Sequence, residues 1–132
     1  MYEIQDEIQL KIKQEFKMDD LGFPEKILGI DVAKTDDGYI LYQSSYIEKV
    51  LHKSQMLDCD PKETPMASGT KLSKDMEATP AEINNYPYRS LVACVLFLSL
   101  CTRPDIAFTV MSLSRFLERP GPGMVKCLKR LI

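Results

Sequence analysis

The sequence predicts an α+β fold, and three observations support this class. Ile4, Ile8 and Ile12 recur every four positions, which is the spacing of one apolar face of an α-helix. Two short β-rich runs then flank an Asp-Gly pair, and the chain returns to helical patterns after residue 87. We expect an N-terminal helix, a β-hairpin with a short helix, a long polar loop, and a C-terminal helical hairpin followed by a truncated last helix.

The apolar spacing of the first helix continues to Phe16, and Leu21-Gly22 followed by Pro24 is predicted to stop the helix. Residues 27–32 and 39–42 form the β-rich runs. The Asp-Gly pair at 37–38 predicts a hairpin between them, because both residues tolerate a positive φ. The apolar stripe of the helix is expected to pack on one side, with charged residues on the other.

A short helix should follow the hairpin, and Ser45 and Glu48 have the spacing of a capping box. Its inner face is predicted to comprise Tyr46, Ile47, Val50 and Leu51. His52 falls on the flank of that face and is interpreted as a surface residue. Residues 59–87 are polar and interrupted by prolines, so they are interpreted as a tether or as a loop over the surface.

The chain from residue 88 is much more apolar and predicts three helical segments. The first runs to about Cys101, and the second begins at Pro104 and runs to about Arg119, which together favour a helical hairpin. Residues 120–123 should end that second helix. The last segment places Val125, Leu128 and Leu131 on one side and Lys126, Lys129 and Arg130 on the other. It stops without a cap, so we expect a further segment to continue it.

Charge and composition limit the function classes. The net charge is −2, so any contact with nucleic acid must be local. The four cysteines lie far apart without a CxxC pair, which disfavours a zinc site and predicts reduced, mostly buried thiols. The acidic N-terminus lacks a secretory signal, and residues 91–101 are about half the ~20 residues needed to span a bilayer. We expect an intracellular, unsecreted protein with no membrane partner.

Several short strings occur in a characteristic order along the chain. They are FKMDDLG (16–22), LGIDV (28–32), GYILYQS (38–44), YIEKVL (46–51), TPM (64–66), LSKD (72–75), YRSLV (88–92), CTRPDIAF (101–108) and LSRF (113–116). Together they resemble the Pol polyprotein of copia-type LTR retrotransposons. The resemblance lies in the reverse-transcriptase region, after the catalytic hairpin and before ribonuclease H, and it covers nearly the whole chain.

The resemblance implies a position for each part within a larger enzyme. Residues 1–58 would be the end of the palm and the start of the thumb, residues 59–87 a tether or surface loop, and residues 88–132 the truncated connection toward ribonuclease H. It also implies a primer-grip role for Ile27, Leu28, Gly29 and Ile30. Without a Cβ, a strand at Gly29 approaches a sugar-phosphate chain closely, although a β-bulge is an equal alternative.

One departure from the family pattern stands in the last helix. Met124 and Val125 occupy positions where the family usually has a His-Trp pair. The departure puts selection for full activity in doubt, and it is also what decay in an inactive element copy would produce.

No catalytic residue is predicted in this chain. Polymerases hold two metal ions with convergent carboxylates, and the family signature is an aromatic residue, one spacer and two aspartates, which this sequence lacks. The pairs at 19–20 and 36–37 are interpreted as solvated aspartates in turns. We therefore expect no metal, no cofactor and no enzymatic activity in this fragment alone. The resemblance implies Mg²⁺ in the intact enzyme.

Phosphate contact without chemistry is the remaining possibility, and its candidates are Arg103, Lys126, Lys129 and Arg130. An ordinary solvated helix face is the alternative. The predicted function is a non-catalytic fragment that helps position primer-template in the intact enzyme, with RNA or DNA and the missing palm and ribonuclease H segments as partners. Two alternatives stay open: a host-retained helical remnant that binds another protein and has no nucleic-acid role, and a polymerase subunit whose active site is supplied in trans.

Overall fold

The computed structural model describes residues 2–73 and 86–132. The elements are α1 (Tyr2–Glu15), β1 (Lys26–Ile27), β2 (Ile30–Thr35), β3 (Gly38–Tyr42), α2 (Ser44–Ser54), α3 (Tyr88–Cys101), a 3₁₀ turn (Pro104–Ile106), α4 (Ala107–Ser114) and α5 (Pro122–Leu131). The predicted α+β class is confirmed, with a small antiparallel sheet followed by a helical C-terminal part. The portion of the predicted polar loop at 74–85 lies outside the described residues.

The sheet has the order β1-β2-β3, with both neighbouring pairs antiparallel. The predicted hairpin is confirmed, since Thr35 pairs with Gly38 around a turn of Asp36 and Asp37. The predicted reason was wrong in part, because Asp37 keeps a negative φ. The single predicted run at 27–32 was also wrong, because a tight turn divides it into β1 and β2.

Helix α1 is confirmed but ends at Glu15, before the predicted stop at Leu21-Gly22, and its apolar stripe is not packed. Ile4, Ile8, Ile12 and Phe16 are 63%, 52%, 42% and 67% exposed. The chain after the helix folds back instead through the carboxylate of Asp20. That carboxylate accepts hydrogen bonds from the side chains of Gln9 and Lys13 and from the backbone N–H of Gly22. The hydrogen bond from Lys13 lowers the pKa of Asp20.

Helix α2 begins two residues earlier than the predicted capping box allows. Gln43 is the N-cap, no side chain caps the helix, and Ser45 lies inside its first turn. The capping-box prediction is therefore wrong. The predicted inner face is confirmed, because Val50 is buried and Tyr46 is partly buried against the core, and His52 is exposed as expected.

The hydrophobic core lies in the second half of the chain. Its buried members are Val50, Tyr88, Leu91, Val92, Val95, Leu98, Ile106, Val110, Leu113, Met124, Cys127 and Leu128. Helix α3 occupies the centre, with α2, α4, α5 and the 3₁₀ turn packed around it. From residues 2–42, by contrast, Val32 is the one buried apolar side chain among those described. The N-terminal helix and sheet therefore have almost no core of their own.

Helix α3 has the predicted bounds, whereas α4 ends at Ser114 and not near Arg119. Two hydroxyls explain the early end, because Ser112 and Ser114 donate to the carbonyl oxygens of Phe108 and Val110 one turn back. Such bonds compete with the helical backbone and weaken or bend a helix. The N–H of Phe116 then bonds three residues back and tightens the last turn.

The four cysteines are free thiols, but the prediction that most of them are buried was wrong. Cys59 is exposed, Cys94 and Cys101 are half-buried, and Cys127 is buried. Cys59 lies in the irregular segment after α2, where no element covers it. Burial, with the Cys94 thiol beside the ring hydroxyl, raises the pKa of Tyr46 to about 12.

Removing the hydroxyl of Tyr88 should destabilise the helical core. Tyr88 is 2% exposed, and its Oη donates to the carbonyl oxygen of Leu113 at 3.0 Å. Tyr88→Phe removes this buried hydrogen bond, while the Leu113 carbonyl keeps the one it accepts from the Phe116 N–H, so we expect the free energy of unfolding to fall by about 1 kcal/mol in a urea titration. Tyr39→Phe is the control, since Tyr39 is 60% exposed. Equal losses in the two variants would contradict this reading.

A single hydrogen bond joins the end of the sheet to the end of α3. Thr102 Oγ1 donates to Gln43 Oε1 at 2.8 Å, and the Gln43 side-chain nitrogen is buried without a partner. Thr102→Val should therefore cost about 1–2 kcal/mol of unfolding free energy, because it strands the Gln43 oxygen as well. Combining it with Gln43→Leu should recover most of that loss. A double variant that is merely the sum of two losses would show that the two residues are not coupled.

Candidate nucleic-acid interface

The structure brings the four predicted phosphate contacts to one cleft. Arg103, Lys126, Lys129 and Arg130 all line a cavity of about 1140 Å³ between α5 and the irregular segment that follows α2. Its floor is apolar and includes Leu72. Residues that are far apart in sequence therefore present their positive charge to the same space.

Helix α5 presents these cations because its other side is buried. Met124, Cys127 and Leu128 face the core, while Lys126 and Lys129 are exposed. Two predictions for this segment need correction. Residues 120–123 do not end the previous helix, which stops at Ser114; Gly121 caps α5 and Pro122 is its first residue. The buried face is centred on Met124, Cys127 and Leu128, whereas the predicted Val125 and Leu131 are only half-buried.

Arg130 is the most firmly positioned of the four. Its Nε donates to the carbonyl oxygen of Thr64 at 3.2 Å, and its Nη2 donates to Thr64 Oγ1 at 2.7 Å. Neither acceptor is charged, so the guanidinium keeps its full positive charge. The ammonium of Lys129 lies 5.2 Å from the ring centroid of Tyr86, within cation–π range. Both contacts hold the side chains at the cleft without neutralising them.

Arg103 differs because a carboxylate already compensates it. Its guanidinium donates two hydrogen bonds to Asp105, at 2.9 and 2.7 Å. The Arg103 hydrogen bond lowers the pKa of Asp105, and the same bond raises the pKa of Arg103. Arg103 therefore brings less net attraction for a phosphate than the three cations of α5.

Lys62 is a fifth cation at the cleft, and the sequence analysis missed it. It lies in the irregular segment and lines the same cavity, together with Asp60. Within residues 2–73 and 86–132, neither Lys62 nor Lys126 forms an ion pair. The proximity depends on Met66 and Leu72 packing against the core, which the polar composition of that segment does not signal.

The predicted primer-grip residues form a projecting turn. Ile27 pairs with Ile30, and between them Leu28 and Gly29 have φ values of 50° and 83°. Gly29 therefore lies in a turn, so the expected strand position and the alternative of a β-bulge were both wrong, while its approach to a sugar-phosphate chain stays a prediction. Glycine suits this position because a two-residue turn requires a left-handed backbone there. Leu28 is 89% exposed, and none of the four residues lines the cleft.

The aspartate pairs at 19–20 and 36–37 are exposed and lie in separate parts of the fold. Across the described portion of the chain, no three side chains of the His, Cys, Asp or Glu type are grouped closely enough to hold a metal ion. Among the predicted candidate residues, the ones that the structure brings together are therefore the cations of the cleft.

A family model described as reverse transcriptase (RNA-dependent DNA polymerase) matches residues 1–68, which is more than half of the chain. The chain therefore belongs to the reverse-transcriptase family, and the predicted resemblance to copia-type retrotransposon Pol polyproteins is confirmed.

Relatives from plants and yeast agree with this assignment. The retrovirus-related Pol polyprotein from transposon TNT 1-94 of Nicotiana tabacum is 40% identical over 92% of this chain, which covers 10% of that polyprotein. The Pol polyprotein from transposon RE1 of Arabidopsis thaliana is 32% identical over 92% of this chain and 8% of its own length. A putative transposon Ty5-1 protein of Saccharomyces cerevisiae is 30% identical over 98% of this chain and 42% of its own length.

The chain thus spans about a tenth of the plant polyproteins and less than half of the yeast protein. No solved structure matches it. Among the helices of the described residues, none is both long enough and apolar enough to cross a membrane.

Proposed function

We propose that this chain is a non-catalytic part of a retrotransposon reverse transcriptase that helps to hold the primer-template by its sugar-phosphate backbone. The observation that carries the proposal is the cationic cleft. Lys62, Lys126, Lys129 and Arg130 converge there from two elements, although the chain as a whole has a net charge of −2. A local cluster of cations attracts phosphates even when the net charge of the whole chain is negative.

The arrangement of the cations suits backbone contact more than base reading. Lysine ammonium groups act as point charges for phosphates, and Arg130 presents a guanidinium oriented by Thr64. Contacts to phosphate position a duplex without reading its sequence. A polymerase must accept any template, so sequence-independent holding fits the family to which the chain belongs.

The projecting turn at 27–30 is proposed as a second contact, corresponding to a primer grip. Two local costs support a role for it. Leu28 adopts a left-handed backbone that costs a residue with a side chain about 1–2 kcal/mol, and it leaves an apolar side chain 89% exposed. A strained backbone together with an exposed apolar side chain is explained if Leu28 makes a contact in a larger assembly.

Leu28→Asn should separate stability from binding. Asparagine tolerates the left-handed region, so the free energy of unfolding should rise by about 0.5–1 kcal/mol in a urea titration. Affinity for a primed RNA–DNA duplex should fall several-fold, because the apolar contact is lost. Leu21→Asn is the control, since Leu21 is 94% exposed and does not have a positive φ. If Leu28→Asn leaves binding unchanged, the turn has no role in it.

The non-catalytic part of the proposal rests on the sequence. No aromatic-x-Asp-Asp string occurs in the 132 residues, so the carboxylates that would hold Mg²⁺ in the intact enzyme must come from elsewhere in the polyprotein. On this view residues 1–58 belong to the end of the palm and the start of the thumb, and residues 88–132 to the connection toward ribonuclease H. Incubation of the chain with Mg²⁺, deoxynucleotides and a primed template should yield no extension.

The proposal is tested by titrating an RNA–DNA duplex with the full chain at several salt concentrations. Each phosphate that is neutralised contributes about −0.7 to −0.9 to the slope of log K against log salt. Three or four cations at the cleft therefore predict a slope of about −2 to −4. Binding that is absent, or that does not respond to salt, would remove the nucleic-acid role.

Contact with other segments of the polyprotein is a second role that one observation favours. The apolar stripe of α1 at Ile4, Ile8 and Ile12 is exposed and contiguous. Contiguous exposed apolar surfaces often mark protein interfaces. We propose that the remaining palm covers this stripe in the intact enzyme. The same exposed stripe is compatible with the alternative of a helical remnant that binds another protein.

A further inference from the structure

We propose that strand β3 pairs with β3 of a second copy of the chain, which joins two sheets into one continuous antiparallel sheet. Strand β3 is the last strand in the order β1-β2-β3, and no strand among residues 2–73 and 86–132 pairs with its outer edge. Tyr39, Ile40, Leu41 and Tyr42 are 60%, 54%, 55% and 41% exposed. A free edge with apolar side chains on both faces is a template for another strand.

The hydrogen-bonding pattern fixes which groups are free. Thr35 and Gly38 close a two-residue turn, so residues 38, 40 and 42 direct their backbone groups toward β2. The N–H and C=O groups of Tyr39 and Leu41 then point to the outer edge. These are the donors and acceptors that a second strand would use.

A two-fold axis at Ile40 satisfies those groups and gives favourable side-chain pairs. Tyr39 of one copy faces Leu41 of the other, and the two residues exchange backbone hydrogen bonds. Tyr42 then lies across from Gly38, where an aromatic ring covers the space that glycine leaves open. Aromatic–aliphatic pairs of this kind stabilise antiparallel strands. The arrangement is isologous, so it closes at two copies and leaves no β3 edge free.

Charge complementarity favours a second copy of this chain over an unrelated strand. Continuing the same register brings Asp36 and Asp37 of one copy opposite Gln43 and Ser44 of the other. Helix α2 begins at Ser44 with no acidic residue in its first turn and no side-chain cap. Carboxylates from the partner turn would meet its positive end, which is the favourable arrangement for a helix dipole.

Sedimentation velocity of the full chain from about 1 to 200 µM tests the proposal, since interfaces of modest area associate in this range. We expect a reversible shift from the mass of one chain to that of two. Leu41→Pro should abolish the shift, because it removes an outward N–H without breaking the ladder to β2. Leu41→Thr keeps that N–H and should retain the dimer. The double variant Asp36→Lys and Asp37→Lys should weaken association at least tenfold by placing cations at the partner's helix terminus.

Ile8→Lys on α1 separates this contact from association through the apolar stripe. It should leave the dimer intact, and circular dichroism should show that every variant keeps its helical content. A chain that stays monomeric throughout, one that grows beyond two copies, or one whose association is lost in Ile8→Lys but kept in Leu41→Pro would overturn the proposal.

Discussion

Charge reversal at Lys126, Lys129 and Arg130 is expected to weaken binding of an RNA–DNA duplex by about a hundredfold or more near 0.1 M salt. The three side chains lie on one face of α5, at the cleft, and none forms an ion pair with a carboxylate among the described residues. Their reversal replaces attraction to phosphates with repulsion. The slope of log K against log salt should also become shallower by about 2–3, since each lost phosphate contact removes about one.

A variant with the same change in net charge controls for non-specific electrostatics. Lys11, Lys17 and Lys34 are exposed and do not line the cleft. Their reversal to glutamate should reduce affinity several-fold at most, through the general repulsion of a more acidic chain. Comparable losses in the two triple variants would show that the cleft has no special role.

Leu91→Ala is expected to lower the free energy of unfolding by about 3 kcal/mol or more. Leu91 is fully buried in the first turn of α3, within the cluster that joins α2, α4 and α5. Truncation removes the transfer free energy of the side chain and leaves a cavity that the tightly packed surroundings fill only in part. Chemical denaturation followed by circular dichroism measures the loss.

Leu10→Ala is the matched control on α1. Leu10 is 61% exposed, so its truncation should change the unfolding free energy by less than about 0.5 kcal/mol. Stability is thus expected to reside in the helices from α2 onward. A loss at Leu10 that equals the loss at Leu91 would mean that α1 packs against a core in solution.

The sequence was most informative where local composition determined the element. Helix α3 matches its predicted bounds because a dense apolar run follows Pro87 and ends before Pro104. The hairpin around 35–38 was also predictable, since turn residues separate two β-rich runs. In both cases the deciding residues are neighbours in the chain.

The sequence was least informative where distant residues decide the local structure. Gly29 is the single turn-forming residue beside Leu28, which was not predicted as a turn residue because leucine seldom adopts a positive φ and Ile27 and Ile30 are typical of strands. The capping-box prediction failed because the helix begins at Ser44, directly after Gln43, whose side-chain oxygen accepts a hydrogen bond from Thr102, far along the chain. The wall of the cleft that carries Lys62 was interpreted as a tether or surface loop for the same reason.

The sequence identified most residues of the candidate site, but it did not show where they meet in the fold. Lys126, Lys129 and Arg130 share a helical face by their spacing alone, so the sequence identified them together. Their proximity to Arg103 follows from the packing of α5 against α3 and α4, which no spacing reveals. The pairing of Arg103 with Asp105 was likewise missed.

Photo-cross-linking is the most direct test of the claim that this cleft holds nucleic acid. An RNA–DNA duplex with photoreactive groups on its phosphates would be bound to the full chain, irradiated and mapped by mass spectrometry. We predict cross-links concentrated on α5 and near Lys62, with a second set at the turn of Leu28. Cross-links spread over α1 and absent from α5 would contradict the claim.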